Sequence, residues 1–283
     1  MKMNKAFLVV LLPIAVWSIY LFRMPALVLL LSSVLGAVIA EFALQSALRR
    51  DVKIKDLSAV VTGILLALTL SPSIPWYVAA AGAAVGVIAA KELAGGYMKN
   101  TFNPALFGRL FIIAAFPGSM GPWLAPYDLV TTATPLGLMR SEGVLTPYTD
   151  LFLGTVAGSL GETSVLLIGL GAAYLIYRRF VNWRIPLAIL ATVFVLMAAL
   201  GQNPVFHLFS GSLILGACFM ATDPATSPRF NKGRWIFGIG IGVIVVAFRV
   251  WGWLPEGVTF AILGMNAAVP LLNDLTKRKA AAA

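Results

Sequence analysis

Three hydroxyls stand together in "TTATPLG", Thr131 to Gly137, a polar island between strongly apolar stretches. Read on its own, the tetrapeptide Thr131 to Thr134 is a hydroxyl-rich external turn stopped by Pro135. Two acids are the other candidates for chemistry. Glu162 lies in "GSLGETS", inside a long apolar segment, where a carboxylate is costly and is usually paired or functional; the alternative is a re-entrant or interfacial turn with the carboxylate in water. Asp223, before Pro224 in "MATDPATSP", could cap a helix start or carry an ion. His207, the one histidine, reads as a hydrogen-bonded residue at a helix start, and the lone Cys218 can form neither an internal disulfide nor, unaided, an iron–sulfur site.

These residues need a scaffold, and composition defines it. With 60% hydrophobic and 11% charged residues among 283 and a mean hydropathy of +0.91, the chain is a polytopic membrane protein. A bilayer core of about 30 Å takes roughly 20 apolar residues per helix. Ten such segments can be read: 7–22, 25–44, 57–70, 74–90, 103–116, 151–177, 185–200, 205–221, 235–251 and 257–272. The first resembles a signal peptide, yet no small-residue cleavage site follows it, so it is read as retained.

Charge orients the spans, because cytoplasmic loops keep Lys and Arg. Of the 21 basic residues, 17 fall on one side of a ten-span layout. Only Arg23, Arg140 and Arg249 fall opposite, and Arg109 lies inside the fifth span. Both termini are therefore expected in the cytoplasm and the threonine loop outside. The net charge of +10 is a topology signal that requires no nucleic acid.

An internal repeat is also expected. "VVTGILLALTLSPSIPW" from Val60 and "LFSGSLILGACFMATDP" from Leu208 align Thr62-Gly63 with Ser210-Gly211 at a spacing of 148. A five-helix unit is odd in number, so its second copy enters from the other side. The fold class expected is all-α, about ten transmembrane helices in two inverted five-helix repeats, with broken helices that need protein, a polar cavity or the interface around them. One membrane domain, 1–283, then divides into a first half 1–116, an external loop 117–150, a second half 151–276 and a cytoplasmic tail 277–283. The Gly82/Gly86 and Gly154/Gly158 pairs suggest close helix packing. No Walker loop, dinucleotide fingerprint or metal-spaced His/Cys set is present, so hydride chemistry with NAD would need another subunit. To this point a passive small-solute channel or transporter fits equally.

Five co-linear stretches, "FNPALFGRLF", "YDLVTTATPLG", "GSLGETSVLLIGLGAAYLIYRR", "NPVFHLFSGSLILGACFMATDPATSP" and "PEGVTFAILGMNAAVPLL", resemble the D-subunit family of Rnf electron-transport complexes. That family is related to the B subunit of the sodium-pumping NADH:quinone oxidoreductase. The chain starts almost at its first span, without the longer N-terminal extension expected of the latter, which favours the Rnf type over this alternative.

The resemblance implies that Thr134 carries FMN through a phosphoester bond, placed by a flavin transferase, with Asp128, Thr131, Thr132 and Pro135 in the flavin-binding loop. A threonine hydroxyl can be esterified by a flavin phosphate, whereas Ala133 and Pro135 cannot. The resemblance further implies an ion-translocating oxidoreductase subunit in a prokaryotic cytoplasmic membrane, surrounded by membrane lipid. Its partners would be iron–sulfur and flavin subunits, a second covalent-FMN subunit among them, and a noncovalent riboflavin is a further candidate cofactor. Electrons would pass between ferredoxin and NAD, coupled to Na⁺ or H⁺ movement, with Glu162 and Asp223 as candidates for the ion pathway. No residue of this chain alone is expected to be catalytic, and no metal site is expected.

Overall fold

The computed structural model describes residues 2–162, 164–252 and 257–281. These residues are all-helical, apart from one isolated β-bridge between Leu124 and Thr131. The helices are α1 (Lys2–Ala47), α2 (Ser58–Leu68), α3 (Trp76–Val85), α4 (Pro104–Ala115), α5 (Pro135–Glu142), α6 (Tyr148–Leu153), α7 (Val165–Tyr177), α8 (Arg184–Ala199), α9 (Pro204–Phe209), α10 (Leu213–Leu215), α11 (Asn231–Val250) and α12 (Val258–Ala281). Two π-helical turns, Gly86–Glu92 and Gly216–Met220, continue α3 and α10.

Helices α1, α11 and α12 are each long and apolar enough to cross a membrane, and α2, α4, α7 and α8 are shorter apolar helices. Hydrophobicity runs around these helices instead of forming one stripe, as expected where lipid replaces water. Large apolar side chains such as Val16, Ile39 and Val195 accordingly stay exposed on the protein surface.

The first two expected spans form one element. α1 runs through both and bends at Arg23, whose φ of 55° and ψ of −134° leave the helical region. Pro25 explains the bend, because its ring supplies no N–H to the carbonyl of Leu21 four residues earlier. The sixth expected span, 151–177, is instead broken. Gly154, at φ 84°, closes α6, an irregular stretch follows, and Ser164 starts α7 by accepting the Leu167 N–H at 3.1 Å.

Small residues set the helix spacing. A Cβ on Gly36 would meet the backbone oxygen of Ala80 at 2.5 Å, and one on Gly63 would meet Val34 Cα at 2.6 Å, so α1, α2 and α3 touch through their backbones. Gly238 similarly admits Ala188, bringing α11 onto α8. The expected packing role of Gly82 and Gly86 holds, for both face α4 at Ile112, Gly108 and Pro104. Gly154 and Gly158 do not form such a face: the first is a helix end, and the second lies against the Glu162 carboxylate.

The matched pairs of the internal repeat take different local forms. Thr62 and Gly63 lie within α2, whereas Ser210 ends α9 and Gly211 adopts φ 70° in the break before α10.

Candidate functional site

Thr134 is the N-cap of α5. Its backbone is extended, Pro135 occupies the first helical position, and its Oγ1 accepts the Gly137 N–H at 3.2 Å. This is the local reason for "TPLG": the hydroxyl satisfies a helix-start donor, proline's missing N–H costs nothing there, and its fixed φ suits the first turn. Thr134 is 7% exposed, while Thr131, Thr132 and Ala133 beside it are exposed.

The loop before it is tied down. The Ala125 N–H bonds the Val130 carbonyl, and the Thr132 N–H bonds that of Trp123 at 2.9 Å, making a small hairpin. The Leu21 carbonyl that Pro25 leaves open accepts the Tyr127 N–H at 2.9 Å, and the Tyr127 ring meets Tyr20 edge-on. Ser71 and Ser73 both donate to the Pro122 carbonyl. Asp128 is exposed on this hairpin.

Below α5, Leu136 packs with Leu151, Val156 and Phe206 and also reaches Gly211 in the α9–α10 break. Arg249, 6% exposed in the last turn of α11, donates Nη2 to the Ser210 carbonyl at 2.8 Å and Nη1 to that of His207. A cation thus faces the carbonyl end of a short helix, which suits the helix dipole. Thr134, the α9–α10 break and Arg249 form one assembly.

His207 is buried in the last turn of α9, and its Nδ1 has no hydrogen-bond partner among the described residues. The expected hydrogen-bonded helix-start role belongs instead to Asn203, which caps α9 by accepting the Phe206 N–H. The cap falls to Asn203 because Pro204 after it starts the helix, which leaves His207 four residues beyond the cap.

Glu162 is buried at 5% exposure. Ser159 Oγ donates to its Oε1 at 2.8 Å, and its Oε2 lies so near Gly158 that a Cβ there would clash with it. The turn carrying it is pinned by the Leu160 N–H to the Leu70 carbonyl at 3.0 Å and by Ser18 Oγ to the Leu160 carbonyl at 2.6 Å. Gly161 packs against Leu68 and Leu215, so the broken sixth segment lies against the ends of two other interrupted helices.

Asp223 occupies another place. It lines a small cavity of about 70 Å³ with Asn4, Ser58, Lys91, Asn100 and Asn103, and its Oδ1 accepts the Ala225 N–H at 3.1 Å. Burial raises its carboxyl above the usual aspartate range, opposed by the Ala225 N–H and the Asn100 side chain. Asn103 fixes the cavity wall: it caps α4, donates Nδ2 to the Met220 carbonyl at 3.3 Å, and gives its N–H to Asn266 Oδ1, while Asn266 donates to the Thr226 carbonyl.

The sequence reading missed a buried pair beside this cavity. Lys91 Nζ lies 2.6 Å from Glu41 Oε1 and 2.5 Å from Ser58 Oγ, and Gln45 bridges Glu41 to Glu92. The available signal was Glu41 itself, an acid within an apolar span.

An all-helical chain with long apolar helices, interrupted helices against buried polar groups and a capped threonine on a tethered loop is a polytopic membrane protein. The NQR2, RnfD, RnfE family profile matches residues 1–282, and the chain belongs to that family. It is 38% identical to the D subunit of the proton-translocating ferredoxin:NAD⁺ oxidoreductase complex of Clostridium ljungdahlii, over 94% of this chain and 86% of that protein. It is 40% identical to the D subunit of the Na⁺-translocating ferredoxin:NAD⁺ oxidoreductase complex of Acetobacterium woodii, over 96% of this chain and 87% of that one. It is also 40% identical to the D subunit of the ion-translocating oxidoreductase complex of Stutzerimonas stutzeri, over 95% and 88%.

Proposed function

We propose that this chain is the flavin-bearing membrane subunit of an Rnf-type complex that couples electron transfer between ferredoxin and NAD to Na⁺ or H⁺ translocation. The observation carrying the flavin assignment is the position of Thr134 at the start of α5. The residues present fit a phosphoester there. Thr134 would supply the oxygen, and the dipole of the eight-residue helix that it starts would favour the negative charge of a phosphoester.

FMN bound there would supply one- and two-electron chemistry. The chain's own contribution is positional: the hairpin fixes the approach to Thr134, Leu136 anchors α5, and Arg249 holds the backbone beneath it. The names of its relatives support membership of a multi-subunit complex, and they include both ions; in this reading its partners are iron–sulfur and flavin subunits. In the same reading the loop faces outward, both termini are cytoplasmic, and a noncovalent flavin such as riboflavin is a further cofactor of the membrane part. The burial of Glu162 and the half-buried position of Asp223 on the cavity wall, both near interrupted helices, support them as ion-pathway candidates. Glu162→Gln and Asp223→Asn then lower ion-coupled electron transfer more than assembly.

The test is coexpression with a flavin transferase, followed by denaturing electrophoresis and peptide mass analysis. The expected result is a fluorescent band whose FMN mass maps to Thr134, lost in Thr134→Ala and kept in Thr131→Ala and Thr132→Ala. Attachment elsewhere, or none while partner flavin subunits are modified, overturns the assignment.

A further inference from the structure

A cleft between the α7–α8 connection and the segment before α11 is lined by Arg179, Trp183, Arg184, Thr222, Ser227 and Arg234, and among the described residues none that lines it is acidic. The contacts that position Arg184 and Arg234 involve no carboxylate. Arg184 lies over the Trp183 ring, 4.8 Å from its centroid. Arg234 is fixed by bonds to the Pro228 carbonyl and Asn231 Oδ1, and the charges of Arg184 and Arg234 are close enough to act on each other. Like charges gathered in a partly buried cleft are unfavourable until an anion enters, and guanidinium groups suit phosphate oxygens.

A second feature adjoins it. Ala188, Ala191, Val195 and Leu196 of α8 and Trp235, Ile239 and Val243 of α11 line an almost wholly apolar groove. The i, i+4, i+8 spacing of the α11 residues makes this a straight stripe along the helix, about 12 Å long at 1.5 Å per residue. Trp183 of the cleft and Trp235 of the groove meet edge-to-face at 6.0 Å between centroids, so the cationic cleft and the apolar groove join at a tryptophan pair. Tryptophan favours the level of the lipid headgroups.

We propose that this site binds one anionic phospholipid, its phosphate between Arg184 and Arg234 and an acyl chain along the α8–α11 groove. The occupant follows from complementarity at both ends: the cleft selects a phosphate, and the groove selects a chain attached to it. Both flanking loops belong to the side that the charge asymmetry assigns to the cytoplasm, so the lipid comes from that leaflet. The proposal does not depend on the flavin assignment.

The test uses the full-length protein in nanodiscs of phosphatidylglycerol mixed with phosphatidylcholine, transferred to mild detergent and examined by native mass spectrometry. The expected result is retained phosphatidylglycerol, lowered about fivefold by Arg184→Gln or Arg234→Gln alone and further in the double variant. Ala191→Trp, which fills the groove and keeps every charge, lowers it as well. Equal retention of phosphatidylcholine, or unchanged retention in the double variant while its thermal transition matches the wild type, overturns the proposal. So does competition by inorganic phosphate as strong as that by the lipid, which would make the cleft a free-anion site. Loss of bound lipid when a partner protein of the complex is added would assign the cleft to an acidic protein segment and likewise overturn it.

Discussion

The carbonyl oxygen of Leu21 accepts the amide N–H of Tyr127 at 2.9 Å. That acceptor is open because Pro25 cannot bond it, so a proline within a membrane helix anchors the loop that presents Thr134. Pro25→Ala restores a competing N–H inside α1. Limited proteolysis of the hairpin should become about fivefold faster, the equivalent of one hydrogen bond of about 1 kcal/mol, with α1 still inserted. An unchanged cleavage rate would show that the loop is held by its other contacts.

Arg249 should be a stability residue. Arg249→Met removes donors from the His207 and Ser210 carbonyls, bonds of the charged kind worth roughly 1.5–3 kcal/mol each. A loss of about 3 kcal/mol is expected in detergent unfolding, with Arg249→Lys intermediate because an ammonium is a point charge where the guanidinium forks. A variant as stable as the wild type would show that the α9–α10 break needs no cation.

The Lys91–Glu41 pair, with side chains 3% and 1% exposed, should show strong coupling. Removing either partner alone leaves an uncompensated buried charge, a loss of about 3–5 kcal/mol, whereas a well-packed apolar pair is often tolerated. Lys91→Met and Glu41→Leu should therefore each destabilise strongly, and the double variant should recover most of the loss. Additive losses across the double-mutant cycle would contradict the pairing.

Asp223 gives a pH signature. Its carboxyl is raised above the ordinary 3.8, chiefly by burial, so the folded state holds the proton more tightly than the unfolded chain. The associated stability is present in full below the ordinary value and is lost as pH rises through the raised one. Asp223→Asn keeps an acceptor for the Ala225 N–H but does not titrate. Thermal transitions measured from acid to neutral pH should therefore fall for the wild type relative to the variant. Parallel curves would remove the effect.

Much of the architecture was written locally. Asn103-Pro104 announces a helix start by cap chemistry, and "TTATPLG" carries its cap at Thr134. The broken helices at "SPSIP" and "TDPATSP" follow from proline. What local patterns could not supply were long-range partners. Glu41 and Lys91 are 50 residues apart in sequence, and Lys91 reads as a loop charge until α3 is seen to bury it. Gly154 and Gly158 have the spacing of a packing motif, but spacing is informative only inside one helix, and α6 ends at the first of them. Charge counting puts Arg249 among the external loop charges, yet it lies in a helix, bound to carbonyls at the end of another.

The π-helical turns at Gly86–Glu92 and Gly216–Met220 have a mechanical consequence. A π turn holds about one residue more than an α turn, and each residue of an α-helix advances the azimuth by about 100°. The turns therefore act as indexing steps that set the heading of everything beyond them. In the first, Lys91 faces Glu41 because the extra residue is present; tightening that turn to α geometry would swing the ammonium off the carboxylate without moving the helix axis. The same step in the second lies just before the chain reaches Asp223. Two rotary detents thus control which polar groups look into the protein.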